Sequence, residues 1–239
     1  MKKIFLFVLT VLLCAVAGAE EKSALSSEQF VKVVRTPPGR ESWGLLEGTA
    51  SHRRRGSATV EAPLRFSVIF TKARTIAQIV FNGKEIYDVA QSYLPPFAGS
   101  IDTRDLQKEK TLTDFGLRPE DLTMNFIFWP LKKELERESV KTIDCRVMVF
   151  ESPTGKESVK VFISAAHFFP LKVEWYNVPA DRISGDAFRT LEVTSFKKSG
   201  ELWVLGSFSI YGPGWRTSVK FPETKAGLTK DGVAKDLFR

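Results

Sequence analysis

Cysteine and histidine are nearly missing from this sequence: two of each in 239 residues. Two histidines and one or two thiols fall short of the four ligands of a structural zinc site, and neither histidine has a carboxylate at a spacing that suggests a metal centre or a nucleophilic triad. A G-x-S-x-G elbow, a phosphate loop and a dinucleotide fingerprint are absent as well. Gly206-Ser207-Phe208-Ser209 approaches the elbow but lacks its second glycine. These absences point to a protein that is not an enzyme and needs no cofactor. A cleft-forming pair among the 28 acidic residues remains conceivable for any chain so rich in carboxylates.

Apolar runs long enough to span a bilayer, about 20 residues, are also missing. The longest is 4–16, preceded by Lys2 and Lys3 and followed by Ala17-Gly18-Ala19. A positive start, a short apolar run and a small-x-small site make a secretion signal covering 1–19. An uncleaved anchor is the alternative, disfavoured by the shortness of the run. Cys14 follows Leu13, where lipoprotein processing wants a small residue, so it reads as part of the discarded peptide. Cleavage removes two lysines, lowers the formal charge from +7 to +5, and leaves Cys145 as the single cysteine. No intramolecular disulfide can then form. Residues 20–239 must be held by their core, and a chain of that size is ample for a single domain. Cys145, within an apolar run, reads as a buried thiol.

The excess of positive charge is densest at His52-Arg53-Arg54-Arg55-Gly56, a solvated turn or, alternatively, a contact for anionic lipid or an acidic partner. No nucleic-acid motif accompanies it.

What is present is mostly strand. Leu64, Phe66, Val68 and Phe70 alternate with Arg65, Ser67 and Ile69, a period of two with one apolar face. The run 75–81 stops at Asn82-Gly83, a strong hairpin signal, and 84–89 returns. Segments 145–151, 159–163, 171–176, 191–196, 202–210 and 215–221 continue the pattern between short turns, giving about ten strands and an antiparallel sheet. The stretch around Leu94-Pro95-Pro96-Phe97 reads as a loop. Before the strands lies a helix: Ser26 and Gln29 form a capping-box pattern, Phe30, Val33 and Val34 share one face, and Thr36-Pro37-Pro38-Gly39 ends it.

One segment breaks the grammar. Arg118-Pro119-Glu120-Asp121 looks like a helix start, and 122–129 is apolar nearly all round before Pro130. A helix over 120–125 passing to extended chain near Trp129 must be covered on more than one side. The polar stretch from about 223 reads as flexible or as a docked terminal helix, with a sparse apolar pattern at Leu228, Val233, Leu237 and Phe238.

Phe115-Gly116-Leu117, Asp121-Leu122 and Phe126-Ile127-Phe128-Trp129-Pro130, followed in order by 145–151, 159–164, 170–176, 191–198 and Trp203, resemble the outer-membrane lipoprotein-sorting proteins, a LolA-like family of the bacterial envelope. The resemblance covers roughly residues 110–210. It implies a mainly β fold, a curved antiparallel half-barrel with short helices on its concave face. It also implies a monomeric periplasmic carrier that takes acyl chains of lipoproteins or lipid into an apolar cavity, between an inner-membrane donor and an outer-membrane acceptor. A protein-docking scaffold built on the same sheet is the alternative. The expected cavity residues are Phe66, Val68 and Phe70 with Leu122, Phe126 and Trp129, and Phe126→Asp is expected to weaken chain binding while leaving the sheet folded. In the family an arginine on an early strand latches the lid; Arg53, Arg54, Arg55 and Arg65 all lie in that region, and nothing in the sequence selects one.

Overall fold

A computed structural model describes residues 25–36 and 40–239. The secretion signal, Cys14 and the Pro37-Pro38-Gly39 stop fall outside the described residues.

The first element, α1 (Ser27–Arg35), starts where the sequence places it. Ser26 accepts a hydrogen bond from the Gln29 N–H, and the Gln29 side chain accepts from the Ser26 N–H. Its buried face differs from the expected one: Phe30 and Val31 are buried, Val34 packs at the margin, and Val33 is exposed. The helix packs against residues 125–128 and the strand Leu131–Val140, and the side that meets them is the buried one. Arg146 donates to the Leu25 carbonyl, lies over the Phe30 ring at 4.4 Å and pairs with Glu134 at 2.6 Å.

Twelve strands follow: β1 (Ser42–Arg54), β2 (Val60–Phe70), β3 (Arg74–Phe81), β4 (Glu85–Ser92), β5 (Gly99–Arg104), β6 (Leu131–Val140), β7 (Ile143–Glu151), β8 (Ser158–Ser164), β9 (Pro170–Tyr176), β10 (Arg189–Ser199), β11 (Leu202–Gly212) and β12 (Trp215–Leu228). They form one antiparallel sheet in the order β5-β4-β3-β2-β1-β12-β11-β10-β9-β8-β7-β6. The chain therefore runs two meanders, and β1 pairing with β12 joins them. Three strands carry no assigned segment in the sequence reading: β1, whose end includes His52, Arg53 and Arg54 that read as a turn, and the two edges, β5 and β6.

Bulges bend this sheet. Register shifts interrupt β1/β12, β10/β11, β6/β7 and β8/β9, and each extra residue kinks its strand and adds twist. At the first, a Cβ on Gly48 would fall 1.9 Å from the Lys220 carbonyl oxygen, so only glycine fits the close approach. Pro222 occupies the bulge, where no ladder donor is needed. Lys197 caps the freed carbonyls of Phe221 and Pro222 at 2.7 and 2.8 Å.

The main apolar cluster gathers the inward positions of β1–β4 and β7–β12 together with α1 and the segment linking the edges. Leu46, Leu64, Phe66, Val68, Ile79, Phe81 and Val89 come from one half; Phe150, Val161, Trp175, Leu191, Phe208 and Phe221 come from the other. Cys145, Val147, Phe162 and Leu171 form a second, small cluster. The stretch from Glu223 continues β12 to Leu228 instead of becoming a helix or loose chain. After a turn at Thr229–Asp231, residues 232–239 run on through a second turn, in which the Leu237 N–H donates to the Ala234 carbonyl at 3.1 Å, and Leu237 is buried.

Candidate functional site

Joining β5 to β6 takes the chain from one edge of the sheet to the other, so residues 105–130 must cross the open side of the half-barrel. This crossing segment holds a turn at Thr113–Phe115, the short helix α2 (Pro119–Thr123) and a second turn at Asn125–Phe128. Local chemistry sets each piece. Thr111 and Asp114 exchange backbone-to-side-chain bonds around the first turn, and the Glu85 carboxylate accepts from the Leu112 N–H at 2.7 Å. Gly116, with φ +67°, then reverses the chain beneath the Trp215 ring, which a Cβ would approach to 2.6 Å. Pro119 opens α2, the Asp121 carboxylate accepts the Arg118 N–H at 2.7 Å, and Met124 in the left-handed region ends the helix. The switch from helix to extended chain at Trp129 follows the sequence expectation.

The six expected cavity residues come together, and they fill the concavity. Phe66 and Val68 are buried on the inward face of β2, and Phe70 is half-buried at its end. Leu122 is buried on α2 and Trp129 half-buried beyond it. Phe126 is fully buried, its ring edge-on to Trp175 at 5.4 Å between centroids.

Space remains at the seam between the β4–β5 hairpin and the crossing segment, in a groove of about 590 Å³, within the range typical of small-molecule sites. Phe97, Ile101, Phe128 and Trp129 form its apolar walls, with Arg35 and Glu120 among its polar groups. Of the expected residues, Trp129 alone lines it. Phe128 is stacked with Tyr93 at 6.2 Å and tilted toward Phe97 at 6.1 Å. Burial pushes the Glu120 carboxyl above its ordinary range.

Three arginines tie the crossing segment down. Arg35, at the end of α1, donates to the carbonyls of Ile127 (2.7 Å) and Trp129 (2.8 Å) and lies over the Phe97 ring at 5.0 Å; burial lowers its pKa. Arg189, at the start of β10, pairs with Asp121 at 2.5 Å and stacks on Trp175 at 4.5 Å. Arg118 pairs with Glu157 across to the β7–β8 turn at 2.9 Å. None of the arginines considered from sequence takes part. Arg53, Arg54 and Arg55 are exposed at the β1–β2 turn, and Arg65 is buried on the convex face against Glu47 and Asp236. One signal for Arg189 was there to read: it shares strand parity with Leu191 and Val193, an inward charge on an apolar face.

His52 pins the start of the crossing segment. Thr217 donates its hydroxyl proton to the Phe115 carbonyl, so the 2.8 Å contact from His52 Nδ1 must be a donation to Thr217. The neutral ring then carries its proton on Nδ1, while the buried Nε2 meets no partner among the described residues. Phe115 and Trp215 lie at 5.6 and 6.0 Å, and the charges of Arg54 and Asp114 act on the ring in opposite directions. Burial, then Arg54, lowers the His52 pKa from 6.5. The unfolded chain thus takes up this proton first, and stability falls as pH drops through about 6.5 until the lower folded pKa is passed. Urea midpoints between about pH 7.5 and about pH 5 should show this slope, and His52→Asn should remove its share of it.

Among the described residues no group of three or more His, Cys, Asp or Glu is placed to hold a metal ion. Cys145 is a buried free thiol whose pKa burial raises.

A scan against protein-family models and a search of curated proteins return no match. Solved structures do match. A DUF1329 family protein from Desulfovibrio piger has a TM-score of 0.63 at 14% identity, over 93% of this chain and 96% of that one. A putative outer membrane lipoprotein-sorting protein domain from Vibrio parahaemolyticus has a TM-score of 0.56 at 14% identity, over 86% and 92%. A LolA superfamily protein from Nitrosomonas europaea has a TM-score of 0.50 at 14% identity, over 90% and 100%. The fold is therefore LolA-like: a mainly β, antiparallel sheet with few short helices, as the residues of 110–210 led us to expect.

Proposed function

We propose that this chain is a non-catalytic carrier of the bacterial envelope, exported to the periplasm, that shields acyl chains of lipoproteins or lipid and passes them toward the outer membrane. The observation that carries the reading is the aromatic seam groove, walled by a crossing segment whose buried side chains, the Asp121 latch apart, are apolar and whose ties are polar. The likeness to lipoprotein-sorting structures supports it, as does the secretion signal read from 1–19.

The concavity is a latent cavity in this reading. Leu122, Met124, Phe126 and Ile127 occupy it, and an acyl chain takes their place when the segment lifts. Burying sixteen carbons yields on the order of 10 kcal/mol gross at about 0.8 kcal/mol per methylene. Unpacking the segment subtracts from that, which keeps the cargo releasable to an acceptor.

Arg35→Leu removes two charge-assisted bonds from the segment, each worth about 1.5 kcal/mol or more. Uptake of a fluorescent fatty acid should become up to about a hundred-fold faster, with the β-sheet circular dichroism unchanged; uptake no faster than wild type means that the segment is not the barrier. The direct test is native mass spectrometry of protein purified gently from its own envelope, followed by organic extraction. Near-stoichiometric lipid or acyl-peptide supports the carrier. A lipid-free protein that also refuses the probe overturns it.

The filled concavity favours a second reading, a scaffold that docks a protein on the same sheet. A stoichiometric protein partner recovered in place of lipid would select it.

A further inference from the structure

The convex face of β1–β5, opposite the seam groove, carries a set of contacts that the carrier reading does not use. Residues 232–239 run across it from strand to strand. Trp43 of β1 donates to the Gly232 carbonyl at 2.7 Å. Arg65 of β2 donates to the Asp236 carbonyl and has the Asp236 carboxylate at 3.7 Å. Gln78 of β3 exchanges two bonds with the backbone of Arg239, accepting its N–H at 2.7 Å and donating to its carbonyl at 2.9 Å. Arg104 of β5 reaches the same carbonyl at 3.4 Å.

Two features set this apart from ordinary packing. Recognition is mostly of main chain: Gln78 offers an N–H and a C=O side by side, as a neighbouring strand does, and Asp88 fixes its amide by accepting from Nε2 at 2.8 Å. One side chain of the segment, Leu237, is buried, over a face where Leu45 and Val80 belong to neither apolar cluster. Beneath it the Ser67 hydroxyl is buried and meets no hydrogen-bond partner among the described residues. A permanent cover normally satisfies such a group; this one leaves it open to a better occupant.

We propose that the convex face of β1–β5 is a binding site for a polypeptide segment that turns at a carboxylate followed by a leucine-sized side chain, as residues 234–237 do, and that residues 232–239 fill it in cis as a replaceable strap. Gln78 holds the main chain, Arg65 takes the acidic residue, and the slot over Leu45 and Val80 takes the apolar side chain. A strap bound in cis masks the site, so apparent affinity for an outside segment is reduced by the fraction of time the strap is docked.

The test uses the full chain and a fluorescein-labelled peptide of the strap sequence, Gly-Val-Ala-Lys-Asp-Leu-Phe-Arg. Leu237→Asp and Asp236→Lys each loosen the strap without altering the face. Both should bind the peptide about ten-fold tighter than wild type or better, and adding Gln78→Ala should abolish the gain. Absence of saturable binding to folded strap variants overturns the proposal, as does binding to wild type and variants alike. Should Leu237→Asp fail to fold by circular dichroism, Asp236→Lys decides, because the Asp236 side chain is 71% exposed and no core depends on it.

Discussion

Arg189→Leu should destabilise the protein by about 3–5 kcal/mol, the cost of leaving a buried charge without its partner. Asp121 is fully enclosed, and its Oδ2 holds both Arg189 and the Arg118 N–H, while Oδ1 and the Arg189 Nε meet no hydrogen-bond partner among the described residues. Burial pushes the Asp121 carboxyl up; Arg189 is the main opposing influence. With Arg189 gone, the carboxyl rises further and the folded state holds a proton that the unfolded chain releases. The deficit should therefore be smallest below the ordinary carboxylate range and deepen as pH rises through it. Replacing both partners by apolar groups of similar size, Asp121→Leu with Arg189→Met, should recover most of the loss. Urea unfolding of the two single variants and the double variant measures this. A loss below about 1 kcal/mol for Arg189→Leu, the scale of an exposed pair, would show the pair to be solvated.

Phe126→Ala is expected to cost a similar amount, about 3–5 kcal/mol, because the ring is fully buried and edge-on to Trp175. Phe126→Asp should cost more, since it places a carboxylate there with no cation arranged to meet it. From sequence the same variant is expected to weaken chain binding with the sheet left folded, and circular dichroism of Phe126→Asp decides between the two outcomes. Trp175 carries the Phe126 ring on one contact and the Arg189 guanidinium on another. The Phe126→Ala and Arg189→Leu losses should thus be non-additive by about 0.5 kcal/mol or more, which a double-mutant cycle reads. Strict additivity would mean that the crossing segment is held at two independent points.

Much of the architecture could be read before any coordinates, and particular residues show why. Alternation from Leu64 to Phe70 announced β2 because one face of that strand is packed and the other is not. Asn82 and Gly83, with φ of +52° and +74°, supply the positive angles that a tight hairpin demands. Ser26 and Gln29 cap α1 through bonds within one turn. Pro119 and the acids after it start α2. Each is a local rule, satisfied by residues a few positions apart, and the order of such segments along 110–210 was enough to suggest a LolA-like sheet.

The edges left no such mark. All six residues of β5 are exposed, and β6 is mostly exposed and charged, so neither has a buried face to impose a period of two. Val33 looked as apolar as Val31, yet the direction from which the sheet meets α1 buries one and exposes the other. The strap hid for a related reason: Gln78 and Arg239 are 161 positions apart, and their contact is to backbone, which every residue possesses.

What the sequence by itself determined is the set of elements and their apolar faces, because helix caps, turn angles and strand alternation act over short distances. What only the tertiary structure decided is which charges latch the crossing segment, what fills the concavity and what covers the convex face. Asp121 finds Arg189 across 68 positions because the curvature set by bulges brings α2 over the start of β10. No spacing along the chain encodes that meeting; it arises from the geometry of the curved, open sheet.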